Sequence, residues 1–221
     1  MEKMIEWSKG VEKNENLDEM VLQAIKKIEC EGYGIGEGRT ATVCALEGRF
    51  DVCVKILNKS IRPKNGATEE MRFLDKLKSK KFPVPQAVCC AKTERSEYVF
   101  MEMIDGLSIL DLIEDDLFEE LPENFDFKGF FEKLREIVKR MHSENIYHRD
   151  LRPGNVMVDK IGNPVIIDFG ESKELSLSTE EPYIDENSLG EARIISPDEN
   201  RIIELCKELG SYLKNKNYFT R

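Results

Sequence analysis

From Ile146 to Gly170 the chain reads IYHRDLRPGNVMVDKIGNPVIIDFG, and no other stretch restricts the fold as much. Residues 145–148 and 156–159 read as short strands that flank a polar loop. Ile161-Gly162-Asn163-Pro164 then punctuates a turn into a third run, residues 165–168. A strand-turn-strand hairpin over residues 156–168 separates two sets of polar groups in sequence and brings them together in space. Asp150 and Asn155 lie in the loop before it, and Asp168 lies at its end.

Two carboxylates and an amide on such a frame suit phosphoryl transfer, which is mainly positioning and charge neutralisation. His148-Arg149-Asp150, Asn155 five residues after the aspartate, and Asp168-Phe169-Gly170 resemble the catalytic and metal motifs of protein kinases. Either motif alone is weak; both in order, with the amide at the expected offset, are specific. The resemblance implies ATP as donor and Mg²⁺ as its metal. Asp150 would accept or orient the proton of the acceptor hydroxyl. Asn155 would offer Mg²⁺ a neutral oxygen and Asp168 an anionic one, the oxygen set that Mg²⁺ prefers. Arg152 stands where serine/threonine kinases usually carry lysine, and would contact the γ-phosphate as a planar fork rather than a point charge. Arg149 would pair either with a carboxylate or with a phosphorylated loop residue, the candidates being Ser176, Ser178, Thr179 and Tyr183. His148 reads as a packing residue of the loop, and His142 as an ordinary polar residue near a helix end.

The N-terminal half carries the partners that this reading demands. Gly36-Glu37-Gly38-Arg39-Thr40-Ala41-Thr42-Val43 resembles the Gly-rich loop of the family, with Ala41 at the third glycine. Gly36 and Gly38 would let the backbone approach the phosphates, and Val43 would cover the nucleotide. Val52-Cys53-Val54-Lys55 resembles the VAIK strand. A lysine inside an apolar strand needs anionic partners. Lys55 would meet the α/β-phosphates and the carboxylate of Glu70, with Glu69 its nearest rival. Phe100-Met101-Glu102-Met103-Ile104-Asp105-Gly106 looks like the hinge segment. Adenine would bond there to backbone groups of Glu102 and Ile104, with Met103 as an alternative, and Met101 would be the gatekeeper behind the purine.

Periodicity fills in the rest. Residues 1–16 form a polar N-terminal segment. Residues 17–30 have helical apolar spacing. Five strands and a helix over residues 68–79, with Thr68 as N-cap, make a small lobe over residues 17–104. Residues 108–114 and 127–143 read as helices, and residues 171–195 as polar and irregular. Ser196-Pro197-Asp198-Glu199 opens a last helix with three agreeing start signals. Asp198 reads first as part of that helix start, and alternatively as the aspartate that braces the catalytic loop. The expected class is α+β, a bilobal kinase-like fold with a five-stranded first lobe and a reduced, mostly helical second lobe over residues 105–221.

A formal charge of −10 argues against nucleic acid or an anionic membrane as partner. No apolar run approaches the ~20 residues of a membrane helix, and residues 1–17 contain no apolar signal core. The expected location is therefore the cytosol, although export by an uncleaved N-terminus, as for an effector delivered to a host cytosol, would leave no such mark. The six cysteines form no CxxC pair. Most sit in strand-like runs and read as buried free thiols.

Beyond Gly170 the kinase resemblance fades. The peptide-binding platform of a complete eukaryotic-type kinase is not evident in residues 171–221. Minimal members such as RIO kinases, the KEOPS kinases and short bacterial effector kinases are similar in this respect. The first reading is a minimal serine/threonine-type protein kinase acting on a protein substrate, with an activating protein partner a further expectation. The alternatives are a small-molecule kinase of the aminoglycoside phosphotransferase type, and a kinase-fold binding module.

Overall fold

The computed structural model describes residues 4–9, 11, 15–31, 36–37, 41–46, 49–57, 64–175, 183–186 and 192–215. The chain divides into two units. One holds residues 1–104 with residues 168–171; the other holds residues 105–167 and 172–221.

The first unit is one antiparallel sheet with two helices. Its elements are β1 (Met4–Trp7), α1 (Glu15–Glu31), β2 (Gly36–Glu37), β3 (Ala41–Leu46), β4 (Arg49–Leu57), α2 (Ala67–Ser79), β5 (Ala87–Lys92) and β6 (Glu97–Glu102). The strand order is β1-β5-β6-β4-β3-β2. Four of these strands, β3 to β6, are those expected from periodicity; the first, expected over residues 30–36, shares only Gly36 with β2, and Cys30 belongs to α1. The sixth, β1, lies inside the segment read as merely polar. Its Met4, Ile5, Glu6 and Trp7 pair with Lys92, Ala91, Cys90 and Cys89. Four residues are too few for an alternating pattern to stand out.

Side-chain alternation in β4 decides where the lysine goes. Val52 and Val54 point into the core with Val21 and Ile25 of α1, Cys44, Leu46, Cys89, Tyr98 and Phe100. Lys55, one residue on, therefore points to the opposite face. It sits across from Val43 of β3 and Val99 of β6. Helix α2 buries Met71, Phe73, Leu74 and Leu77. Its N-cap is Gly66, not Thr68. The Glu97 carboxylate caps from outside, accepting from the Ala67 N–H at 3.0 Å, while the Thr68 hydroxyl turns to Glu6. Cys44, Cys53, Cys89 and Cys90 are buried, and Cys30 and Cys206 are exposed. Burial pushes the Cys53 thiol up to about 11 and the Cys89 thiol up to about 12, so both stay protonated.

The second unit comprises β7 (Gly106–Ser108), α3 (Ile109–Glu114), α4 (Phe127–Ser143), β8 (Ile146–Tyr147), β9 (Val156–Asp159), β10 (Pro164–Ile166), β11 (Lys173–Glu174), β12 (Tyr183–Glu186), β13 (Ala192–Ile195) and α5 (Pro197–Asn215). The third run of the central hairpin stops at Ile166, so Asp168 lies beyond the strand rather than in it. The segment read as irregular contributes β11, which pairs with β8, and a β12–β13 hairpin. Gly106 is required by close approach: a Cβ there would lie 2.2 Å from the Val158 carbonyl oxygen. Ser108 and Asp111 form a reciprocal capping box at the start of α3.

Helix α4 buries Phe130, Phe131, Leu134, Ile137, Val138 and Met141. Helix α5 buries Ile202, Leu205, Leu209 and Leu213. Between α3 and α4, a 3-10 turn, Leu117–Glu120, buries Phe118, which stacks on Tyr212 at 5.4 Å. Among the described residues no helix is long and apolar enough to cross a membrane.

Candidate active site

In the first unit, the buried cation finds two carboxylates. Lys55 Nζ lies 2.8 and 2.9 Å from the two oxygens of Glu70 and 2.6 Å from Asp168 Oδ1. Glu69, the rival, instead pairs with Arg72 on the exposed side of α2. Lys55 is 3% and Glu70 1% exposed. Burial alone would lower the Lys55 ammonium, but Glu70 and Asp168 outweigh it and hold the group above its ordinary value. Burial pushes the Glu70 carboxyl up, against the pull of Lys55. One cation shared by two carboxylates, one of them fully desolvated, produces both directions.

Asp168 has φ 64°, in the left-handed region that few non-glycine residues adopt. Its Oδ1 also accepts from the Gly170 N–H at 3.1 Å. Phe169 is fully buried, and its N–H donates to Glu70 Oε1 at 3.2 Å. Asn65 closes the turn: its N–H donates to the Gly170 carbonyl at 2.9 Å and its side-chain amide to that of Phe169 at 2.9 Å.

The other proposed nucleotide contacts lie on the same sheet. Val43 pairs with both Gly36 and Lys55, which sets the three in one row across β2, β3 and β4. Gly38 lies outside the described residues. Met101 is buried opposite Cys53. Glu102 ends β6, where its carbonyl faces the Cys53 thiol at 3.8 Å. Its carboxylate takes Lys78 Nζ at 3.0 Å and the Gln86 N–H at 2.9 Å. Met103 donates its N–H to the Asp51 carbonyl at 2.9 Å. Ile104 closes the segment.

In the second unit, the loop before β9 gathers Asp150, Arg152 and Asn155. The Asn155 side-chain N–H₂ donates to the Asp150 carbonyl at 2.8 Å and to Asp150 Oδ2 at 2.9 Å. Arg152 Nε donates to the same Oδ2 at 3.2 Å. Arg152 thus helps to orient the Asp150 carboxylate. With both amide hydrogens of Asn155 directed at Asp150, its Oδ1 is the end left for a cation. Asp168, in the first unit, offers carboxylate oxygens; taken one by one, both residues are oxygen donors of the type that Mg²⁺ accepts.

Asp198 fills both of the roles open to it, helix start and brace. It starts α5 as expected, beside a Ser196–Glu199 capping pair. It is also 2% exposed and accepts the backbone N–H groups of His148 and Arg149, both at 2.7 Å, and His142 Nε2 at 3.1 Å. Burial alone would raise its carboxyl, but the His142 bond, the His148 charge and the Arg149 amide outweigh it and leave the group below the ordinary aspartate range. His142 is consequently no plain polar residue: it stacks on Tyr147 at 4.3 Å as well. Arg149 has φ 68° and an exposed side chain. Of its candidate loop partners, Ser176, Ser178 and Thr179 lie outside the described residues, as does the Tyr183 side chain. His148 is buried, with Nε2 3.0 Å from the Ile167 carbonyl. Arg201 was not foreseen. Its Nε donates to the Leu151 carbonyl at 3.2 Å from the first turns of α5, and a single arginine in an amphipathic helix carries no sequence signal for that bond.

A sequence model of the protein kinase domain matches residues 31–198. The chain belongs to the protein kinase domain family. Among the relatives of this kinase domain is CBL-interacting serine/threonine-protein kinase 3 of Arabidopsis thaliana, 30% identical over 188 residues, which cover 83% of this chain and 42% of that protein. CBL-interacting serine/threonine-protein kinase 8 of the same plant is 30% identical over 69% of this chain and 35% of its own length. CBL-interacting protein kinase 33 of Oryza sativa subsp. japonica is 28% identical over 76% and 37%. The chain thus spans less than half the length of these kinases. Among solved structures, the BubR1 kinase domain superposes with a TM-score of 0.55 at 15% identity, covering 87% of this chain and 74% of that one. At that identity the match speaks for the kinase fold alone, an α+β fold with a small sheet-based lobe.

Proposed function

We propose that the chain is an ATP- and Mg²⁺-dependent phosphotransferase of the serine/threonine protein kinase type, acting on a protein hydroxyl. The observation that carries this reading is Lys55, a buried cation held by Glu70 at 2.8 and 2.9 Å and by Asp168 at 2.6 Å. An apolar strand has no structural need for that triad, whereas a nucleotide site does. Family membership and the serine/threonine kinases among the relatives support the same reading.

Lys55, fixed by Glu70, would meet the α/β-phosphates. Gly36, Gly38 and Val43 would cover the nucleotide, and the backbone of Glu102 and Ile104 would receive adenine beside Met101. Asn155 and Asp168 would hold Mg²⁺, which supplies positive charge against the phosphate oxygens. Asp150, oriented by Asn155 and Arg152, would take the proton of the acceptor hydroxyl as its oxygen bonds to the γ-phosphorus and the bond to the β-phosphate oxygen breaks. Arg152 would balance charge on the moving phosphoryl group. An activating protein partner belongs to this proposal, as does a protein substrate.

The test is incubation with γ-labelled ATP and Mg²⁺, wild type beside Asp150→Ala, with products separated by size. Aspartate-dependent label on protein is the expected result. Label only on small molecules would favour an acceptor of the aminoglycoside kind. Nucleotide bound without any transfer would favour a binding module.

A further inference from the structure

Strand β1 does more than extend the sheet. It leads into Ser8, a polar residue only 3% exposed. The Ser8 N–H donates to the Val88 carbonyl at 3.0 Å, continuing the β1–β5 ladder. Its hydroxyl donates to Asp75 Oδ1 of α2 at 2.6 Å, and the Lys9 N–H donates to Asp75 Oδ2 at 3.3 Å. Two residues before Ser8, Glu6 accepts from the Thr68 hydroxyl at 3.4 Å. Three positions of one short segment therefore hold α2 at two points.

Helix geometry sets the consequence. Thr68 and Asp75 are two turns apart and share a face of α2, because seven residues advance the helix by almost two full rotations. Glu70 lies on roughly the opposite face, about 140° from Asp75. The helix is thus held on one side by residues 6–9 and on the other by Lys55. An open groove of about 760 Å³ lies beside the first of these contacts, lined by Trp7, Thr68, Met71, Asp75, Lys78 and Gln86 among others. On this side of the helix the contacts to residues 6–9 are polar.

We propose that residues 4–9 are an in-chain brace for the helix carrying Glu70, and that Ser8 and Asp75 are positioning residues for the Lys55–Glu70 pair. The catalytic value of that brace rests on the function proposed above. The brace itself does not, and it is tested without turnover.

The experiment measures the rate at which an amine-directed acylating reagent labels Lys55 Nζ, read by mass spectrometry, in Ser8→Ala, Asp75→Ala, the double variant and Asp75→Asn. The brace predicts labelling about fivefold to tenfold faster in each alanine variant, the scale of one lost hydrogen bond. The double variant should be no faster than Asp75→Ala, which already removes the Ser8 bond together with the Lys9 N–H contact. Asp75→Asn, which keeps an acceptor oxygen for Ser8, should stay within about twofold of wild type. Wild-type labelling in all variants, with only a lower unfolding midpoint, would overturn the proposal and make the contact structural. If the alanine variants do not fold, amide exchange on the wild-type protein decides. The brace requires β1 and the Glu70 turn of α2 to open together, and opening of β1 alone would overturn it.

Discussion

Asp198 and Arg149 are joined by a 2.7 Å hydrogen bond between residues 49 positions apart in the chain. The same carboxylate takes the His148 N–H at 2.7 Å. One buried aspartate at the start of α5 thereby holds the backbone of the loop that carries Asp150, including the left-handed turn at Arg149. Asp198→Ala leaves one buried and one part-buried backbone donor without their acceptor. The expected cost is about 3 kcal/mol of stability, since each orphaned group costs roughly 1–3, with a fall in any turnover. Urea unfolding measures the first quantity.

The pH dependence of that bond has a definite sign. The folded Asp198 carboxyl lies below its ordinary value, so the folded state releases this proton more readily than the unfolded chain. The stability it contributes is fully present above the unfolded value, about 4. It is lost as pH falls through the depressed folded value. The urea midpoint should drop over that acid window in wild type, and by less in Asp198→Asn.

Lys55→Met should be costly for a reason visible only in three dimensions: it strands Glu70 in the interior. Breaking a buried pair from one side typically costs about 3–5 kcal/mol, and that is the expected loss of stability. Lys55→Met/Glu70→Gln removes the stranded acid and should unfold at higher urea than Lys55→Met alone. Strict additivity of the two single changes would contradict the account.

Two glycines should respond in opposite ways to alanine. Gly106→Ala puts a methyl 2.2 Å from the Val158 carbonyl oxygen, which is backbone and unable to rotate away. It should destabilise by about 2 kcal/mol or more, within the range of severe overpacking. Gly210 lies within α5 with nothing within 4 Å of an added Cβ. Gly210→Ala should stabilise by about 0.5–1 kcal/mol. Thermal melts of the two variants check both.

What the sequence made legible was set by how local each signal is. Helix α4 announced itself by apolar spacing over residues 127–143, and those are its bounds. Lys55 was legible because a charge within VCVK needs an explanation, and Asp150, Asn155 and Asp168 because their spacing is characteristic. Glu70 could be separated from Glu69 only weakly, since adjacent helical residues differ by about 100° of rotation and the sequence does not say which way α2 turns. The second role of Asp198 is hard to see in the sequence because its helix-start role is local, whereas the bonds to His148 and Arg149 are tertiary. The Thr68 cap failed for the same reason: Glu97, on another strand, took the position. Strand β1 and the β12–β13 hairpin are four-residue strands in polar surroundings, where pairing partners rather than pattern decide the structure.

The most direct measurement is the affinity for ATP with and without Mg²⁺ by titration calorimetry, wild type beside Asp168→Ala. The account predicts wild-type binding that Mg²⁺ strengthens, and weaker binding in Asp168→Ala that Mg²⁺ no longer improves. Equal, Mg²⁺-dependent binding by both proteins would contradict the assignment of Asp168 as a metal ligand, and with it the site built around Lys55 and Glu70.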